Sequence, residues 1–370
     1  MIALDDWRSL DVDRAGRYAR AVAAAVGADD VELGRPDSTG QPMRLARFRI
    51  SGQVYSLVPG GAAELGYDAT RYQPVKAELA SFLGDHDALR PHPDDADDGG
   101  HDDGEDRDVV DPWRTPLPVL PGQLELLPMA AVTTGPTPAP PPWRPAAGDL
   151  GDLRAYLSAR LTPPRTASMP TLLVAAESAT AGLLEVAPDH PDVVAFLATR
   201  APWKPGVLGT YGDRCVADDD RSTHVRAEFD AAGRVRQAWL AVHVTHAEVV
   251  ADLAATGRRL LTPDEWEYAH GLGPGTLFPS GDRFERRAGP ETVTGLRWGD
   301  PYYPELTAVH GEVRGSDLGN ASCGGATRFY QAMVRIPAFR DAEIVAEDTA
   351  RTAVRRRRYR PAMEVPPIRW

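Results

Sequence analysis

The sequence of 370 residues predicts an α+β fold, with helices and antiparallel hairpins mixed along the chain. Three observations indicate it. Apolar residues recur at helical spacing near the amino terminus, strand-like segments flank short glycine-containing turns, and the elements lack regular βαβ alternation. Hydrophobic residues make up 42% of the chain and charged residues 25%, so a sizeable core can form.

The first elements predicted are a helix and a hairpin. Residues 1–40 form a helical segment, which Gly27 can close. The apolar face of its helix consists of Ala15, Tyr18, Ala19, Val22 and Val26. Residues 45–61 place β-rich sequence on both sides of Ser51-Gly52, which predicts the hairpin. A second hairpin joins residues 223–229 to 234–242.

Two helix starts follow from capping boxes, in which a threonine and a glutamate three residues later satisfy free backbone N–H groups. Thr245 and Glu248 form the first pair. Thr262 and Glu265 form the second, with Pro263 at the first helical position, where a missing N–H costs nothing. These patterns predict a helix, a short link and a second helix.

Three segments are predicted to lie outside the regular fold. Residues 91–112 form a disordered acidic loop, because ten acidic residues face one arginine between positions 94 and 111. Residues 150–205 form a helical insertion, with helices around 150–161, 171–187 and 190–200, that could cover the functional cleft. Residues 342–370 form an arginine-rich tail, either solvated or serving as an arm for an acidic partner.

Composition also excludes several classes of function. The only lysines, Lys76 and Lys204, lack the context of a phosphate-binding loop, so Walker-type nucleotide hydrolysis is excluded. A net charge of −12 would argue against nucleic-acid binding if it were evenly spread, but most of the excess lies between residues 94 and 111; we expect no nucleic-acid partner. Two cysteines are too few for a disulfide framework, and residues 169–187 are interpreted as a buried helix rather than a membrane span. We therefore expect a cytoplasmic protein without membrane segments.

Four motifs occur in one order along the chain. They are VPGG at 58–61 followed by Leu65-Gly66, RLLTPDEWEYA at 259–269, FPSGD at 278–282 and VRGS at 313–316. This set resembles the motifs of the formylglycine-generating enzyme (sulfatase-modifying factor) superfamily. The resemblance implies a loop-rich fold related to C-type lectins over residues 41–341, in which long loops carry the function on a small sheet framework.

The sequence departs from that superfamily at its metal sites. Members that make formylglycine bind copper through two cysteines after the arginine-glycine motif, whereas residues 314–325 offer only Cys323, so a two-cysteine copper site is not expected. Another branch holds iron through an H-x(3)-H-x-E type cluster, which this chain lacks. His243 and His246 are interpreted as structural or exposed residues rather than as a metal-binding pair, and His270 as a helix-end residue compatible with the helix dipole.

Glycines crowd residues 311–325, which predicts either a loop whose backbone approaches a ligand or a turn-rich loop without that role. Cys323 and His310 are the candidate catalytic residues. The candidate ligand-binding residues around this loop are Trp298, Glu305, Arg314, Asn320 and Ser322. The superfamily often holds structural calcium in loops, and the candidate calcium ligands here are Asp282 and Asp300.

The sequence leaves open whether the protein is an enzyme. The first hypothesis is a divergent sulfatase-modifying-factor-like protein that binds a peptide or small ligand in the loop cleft, without copper-dependent formylglycine formation. The alternative is an oxygen- and metal-dependent oxidoreductase that modifies a protein or metabolite through Cys323 and His310. A third hypothesis gives the acidic loop and the arginine-rich tail the main role, in partner binding.

Overall fold

We describe the protein from a computed structural model. The structure describes part of the chain, in several continuous stretches and a few shorter pieces. They are residues 2–34, 43–75, 78–79, 82, 150–198, 210–211, 214–218, 225–230, 233–242, 244–273, 275–279, 281–283, 291–299, 303–317, 328–340, 357–368 and 370. The predicted acidic loop, residues 91–112, lies outside them. Their helices and antiparallel sheets confirm the α+β class.

The main sheet of the described residues is antiparallel, with strand order β1-β2-β3-β6-β16. Its strands are β1 Asp30–Gly34, β2 Leu45–Ile50, β3 Gln53–Val58, β6 Leu172–Ala175 and β16 Ala362–Glu364. Strands β2 and β3 form the predicted hairpin. Ser51 and Gly52 both have positive φ, of 50° and 79°, as the mirror-image turns of tight hairpins require.

Two helices precede the main sheet, α1 (Leu4–Ser9) and α2 (Val12–Val26). Helix α2 confirms the amino-terminal prediction, since Asp11 caps its start and Gly27 ends it with φ 68°. The predicted helical segment is wrong at residues 30–34, which form strand β1. The buried face of α2 packs into the core of the main sheet.

The prediction of a helix at 171–187 is wrong. This stretch contains β6, which is fully buried and pairs with β3 and β16, together with β7 (Ala179–Thr180) and β8 (Leu183–Val186). A short apolar run fits a strand buried on both faces as well as a buried helix, so periodicity could not separate them. Helices α3 (Leu150–Arg160) and α4 (Pro191–Ala198) do fall in the predicted insertion.

A second antiparallel sheet of the described residues has the order β8-β12-β11-β10-β9. Its further strands are β9 Thr210–Tyr211, β10 Arg214–Asp218, β11 Val225–Phe229 and β12 Val235–Ala241. Strands β11 and β12 confirm the second predicted hairpin. Val193 and Phe196 of α4 share an apolar cluster with this sheet.

The remaining described elements surround the helix pair predicted from the capping boxes. These are α5 (His246–Ala255) and α6 (Pro263–Gly271), and both capping boxes are formed. Strands β4 (Gly61–Leu65) and β5 (Arg165–Met169) pair beside α6. Strands β13 (Glu305–Leu306), β14 (Val313–Arg314) and β15 (Arg358–Tyr359) form a small sheet with β7. Helix α7 (Arg328–Met333) lies between β14 and β15 in the chain.

The prediction of a solvated tail is wrong for residues 357–368. Strand β15 pairs in parallel with β13, and β16 completes the edge of the main sheet. The side chain of Arg360 is 1% exposed. Arg360 forms an ion pair with Glu305 inside the fold. In the part of the chain that the structure describes, no helix is long and apolar enough to cross a membrane.

Candidate functional site

Helix α6 is the element around which the candidate site is built. It carries the DEWEYA motif, and every residue from Glu265 to Gly271 is buried, including two glutamates and a histidine. Residues three and four apart lie on one face of a helix, so Trp266 and His270 point to one side and Asp264 and Glu267 to another. These two faces contact different polar networks.

On the face of α6 that carries Asp264 and Glu267, the carboxylate of Glu267 joins three segments. It accepts hydrogen bonds from the backbone N–H of Gly66, from the hydroxyl of Thr162 at 2.9 Å, and from the guanidinium of Arg165 at 2.9 Å. Arg165 also donates to Asp264 at 2.6 Å. The glutamate is 4% exposed and accepts three hydrogen bonds, so its position is fixed by the fold.

A small surface cleft, open to solvent, lies beside this network. Its lining includes Glu64, Gly66, Glu267, Gly273, Phe278 and Pro337. The glycines are required for packing. Gly66 has φ 75° and a Cβ there would lie 2.0 Å from the carbonyl oxygen of Pro163, while Gly273 has φ 61° and a Cβ would lie 2.6 Å from that of Glu64.

The face of α6 that carries Trp266 and His270 contacts a buried ion pair. Glu305 on β13 accepts from the indole N–H of Trp266 at 2.8 Å and pairs with Arg360 at 2.7 Å. All five N–H donors of Arg360 are used, since the guanidinium also donates to the carbonyl oxygens of Ala175, Ala176 and Arg297. A complete hydrogen-bond set is what allows a buried charge pair to be tolerated.

The electrostatics of this pair fix its charge state. Burial raises the pKa of Glu305, but Arg360, His270 and the donated hydrogen bonds outweigh burial and leave that pKa below its usual value. The imidazole of His270 stacks on Trp266 with ring centroids 3.8 Å apart. Burial, and secondarily Arg360, lowers the pKa of His270 to about 4. His270 does lie in the last turn of α6, as predicted, and with this pKa its ring is neutral at pH 7.

Two predicted ligand-binding residues are engaged inside the fold. Glu305 contacts Arg360 and Trp266, as described above. Arg314 is 2% exposed and donates to the carboxylate of Glu312 at 2.7 Å and to the carbonyl oxygen of Phe339 at 3.2 Å. Burial lowers the pKa of Arg314. Glu305 and Arg314 are also paired across β13 and β14, so the structure does bring them together.

The other described candidates lie at the surface or in turns. Trp298 is half-buried, with its ring centroid 5.4 Å from that of His270. His310 is exposed on the turn between β13 and β14. Asp282 accepts from the backbone N–H of Leu277 at 2.8 Å and so holds the turn that contributes Phe278 to the cleft.

Four candidates lie outside the described residues, namely Asp300, Asn320, Ser322 and Cys323. The predicted thiol and residues 318–327 of the glycine-rich loop therefore lie outside the part of the chain that the structure describes. Among the residues that it does describe, no group of three or more His, Cys, Asp or Glu side chains could hold a metal ion.

Sequence reasoning missed the network of Glu267, Arg165 and Thr162. Glu267 belongs to the quoted motif and lies three residues after Asp264, which was a signal that the two acids share a helix face. Arg165 lies on β5, about 100 residues away in a stretch without any recognised motif. Only the pairing of β5 with β4, next to α6, brings the guanidinium to both carboxylates.

No protein-family model, curated protein or solved structure matches this chain. The class of protein that the fold defines is thus an α+β protein with several antiparallel sheets, and the resemblance to the formylglycine-generating enzyme superfamily rests on its sequence motifs.

Proposed function

We propose that the protein is a divergent sulfatase-modifying-factor-like protein that binds a peptide or small ligand carrying a cationic group, without copper-dependent formylglycine formation. The observation that carries the proposal is the cleft beside α6, whose charged lining residues in the described part of the chain are the carboxylates Glu64 and Glu267. The quoted motifs support the family, and the two cysteines of the chain suggest the cytoplasm as its setting.

The charge around the cleft favours a cation. Arg165 is bonded to both Asp264 and Glu267, which leaves one net negative charge in that trio. Glu64 is exposed and adds a second. An entering ammonium or guanidinium group would therefore meet an excess of negative charge at the cleft wall, next to the apolar surface of Phe278 and Pro337.

The shape of the cleft sets the size of the group that it can accept. The cleft is open to solvent and has a cavity volume of about 20 Å³, room for about one water molecule, so only the tip of one side chain or of a small metabolite can enter it.

The test is fluorescence polarisation with labelled tripeptides of the form acetyl-Gly-X-Gly-amide, where X is arginine, its uncharged analogue citrulline, or glutamate. We expect the arginine peptide to bind at least about tenfold more tightly than the citrulline peptide, a difference of about 1.4 kcal/mol. Glu64→Gln should weaken arginine binding several-fold, and added salt should do the same.

Glu32→Gln is the matched control, because Glu32 is an exposed carboxylate on β1 of a different sheet. It should leave peptide binding unchanged. Equal binding of the arginine and citrulline peptides, or an arginine affinity that Glu64→Gln does not alter, would contradict the proposal.

A further inference from the structure

We propose that His246 and His310 form a surface site for a divalent transition metal ion of the zinc type. The two imidazoles come from the first residue of α5 and from the turn between β13 and β14, and their ring centroids lie 5.4 Å apart. Neither residue lines the cleft described above. The proposal is therefore independent of the proposed ligand-binding function.

The ring of His246 is held in one tautomer. Its Nε2 lies 2.8 Å from the carbonyl oxygen of Thr307, which can only accept a hydrogen bond. In the neutral ring, Nε2 therefore carries the proton and Nδ1 keeps a free lone pair. Metal-bound histidines are typically oriented in this way, with the second nitrogen donating to a carbonyl or carboxylate.

His310 lies on a short turn whose backbone is fixed by hydrogen bonds. The N–H of Glu312 donates to the carbonyl oxygen of Val309 at 3.1 Å, and Gly311 adopts φ 79° at the third position of that turn, as in a type II turn. The hydroxyl of Thr307 donates to the carbonyl oxygen of Glu312 at 2.9 Å. Thr307 thus braces the turn of His310 and also anchors His246.

The separation of the two rings fits a shared metal ion. Two imidazoles on one tetrahedral zinc ion, with Zn–N bonds of about 2.0–2.1 Å, place their ring centroids about 5 Å apart. The observed centroid distance is 5.4 Å, and the side chain of His310 is exposed.

The donor set selects the class of metal. Neutral imidazole nitrogens suit Zn²⁺, Cu²⁺ and Ni²⁺, whereas Ca²⁺ and Mg²⁺ prefer oxygen ligands. The described residues supply two ligands, and water would complete the coordination. His246 lies at the positive end of α5, where the carboxylate of Glu248 in the first turn offsets the helix dipole. These features predict a Kd in roughly the micromolar range rather than the far tighter binding of four-ligand sites.

The first experiment is calorimetric titration of the full-length protein with ZnCl₂, and with CaCl₂ for comparison. We expect about one equivalent of zinc per chain and no calcium binding at this site. His310→Ala and His246→Ala should each weaken zinc binding at least about tenfold, equivalent to about 1.4 kcal/mol. His190→Ala is the matched control, since His190 is a partly exposed histidine beside Asp192, and it should not change zinc affinity.

The second readout is the electron paramagnetic resonance spectrum of the Cu²⁺-loaded protein, which reports the nitrogen atoms bound to copper. Two imidazole nitrogens are expected in the parent chain and one in His310→Ala. Because His310 is exposed, its replacement should leave the thermal unfolding midpoint of the metal-free protein unchanged. The proposal is overturned if zinc does not bind, or if His310→Ala binds it as tightly as the parent.

Discussion

Replacement of Glu305 by glutamine tests the buried ion pair between β13 and Arg360. The change keeps the size of the side chain and removes its negative charge. Arg360 would then remain 1% exposed with its positive charge unpaired, although the carbonyl oxygens of Ala175, Ala176 and Arg297 would still accept from it. A glutamine amide group can also turn an N–H toward the guanidinium, where neither group can accept.

The magnitude follows from the burial of both partners. Glu305 is 2% exposed, and removal of one member of a fully buried pair costs about 3–5 kcal/mol, because the other charge is left uncompensated. An exposed pair contributes about 0–1 kcal/mol. Since a domain is stable by only about 5–15 kcal/mol, the substitution should remove a large share of the free energy of unfolding.

The assay is urea denaturation followed by tryptophan fluorescence. Glu177→Gln is the matched control, because Glu177 is 65% exposed and lies 3.5 Å from Arg297. We expect a loss of about 3–5 kcal/mol for Glu305→Gln and less than about 1 kcal/mol for the control. If the two variants lose equal stability, the reasoning from burial is refuted.

Three further predictions concern α6 and its surroundings. The pKa of His270 is lowered to about 4, so the unfolded chain binds a proton at higher pH than the folded chain does. The free energy of unfolding should therefore fall between pH 6.5 and pH 4, by about 2 kcal/mol at pH 5. Urea titrations should show this loss in the parent chain and not in His270→Gln. Gly66→Ala should lower the free energy of unfolding by clearly more than the roughly 1–2 kcal/mol expected for Gly27→Ala. Both glycines have positive φ, but only at Gly66 would the new Cβ collide with a backbone carbonyl oxygen. Equal shifts of the thermal unfolding midpoint would contradict this. Thr262→Ala should cost about 1 kcal/mol by loss of the cap of α6, and an unchanged midpoint of denaturation would argue against that cap.

Local elements were predictable where one short stretch of sequence carries the whole signal. The capping boxes at Thr245 and Thr262 and the turn at Ser51-Gly52 depend on residues at most three apart, so their geometry follows from the residues present. The strands at 172–175 and 183–186 were not predictable in this way. Their state depends on partners more than 50 residues away, β3 and β16 for the first and β12 for the second.

The same distinction between local and long-range signals applies to the candidate site. The sequence by itself determined helix α6, with its acidic residues and Trp266 at fixed helical spacing, and it pointed to Glu305, Arg314 and His310 as polar groups near one another in the chain. Only the tertiary structure decided what each of them contacts. A buried charge needs a partner of opposite sign, and the partners of Glu305 and Glu267 are Arg360 and Arg165, which lie 55 and 102 residues away. Long-range strand pairing brings these groups together, and no local pattern encodes it.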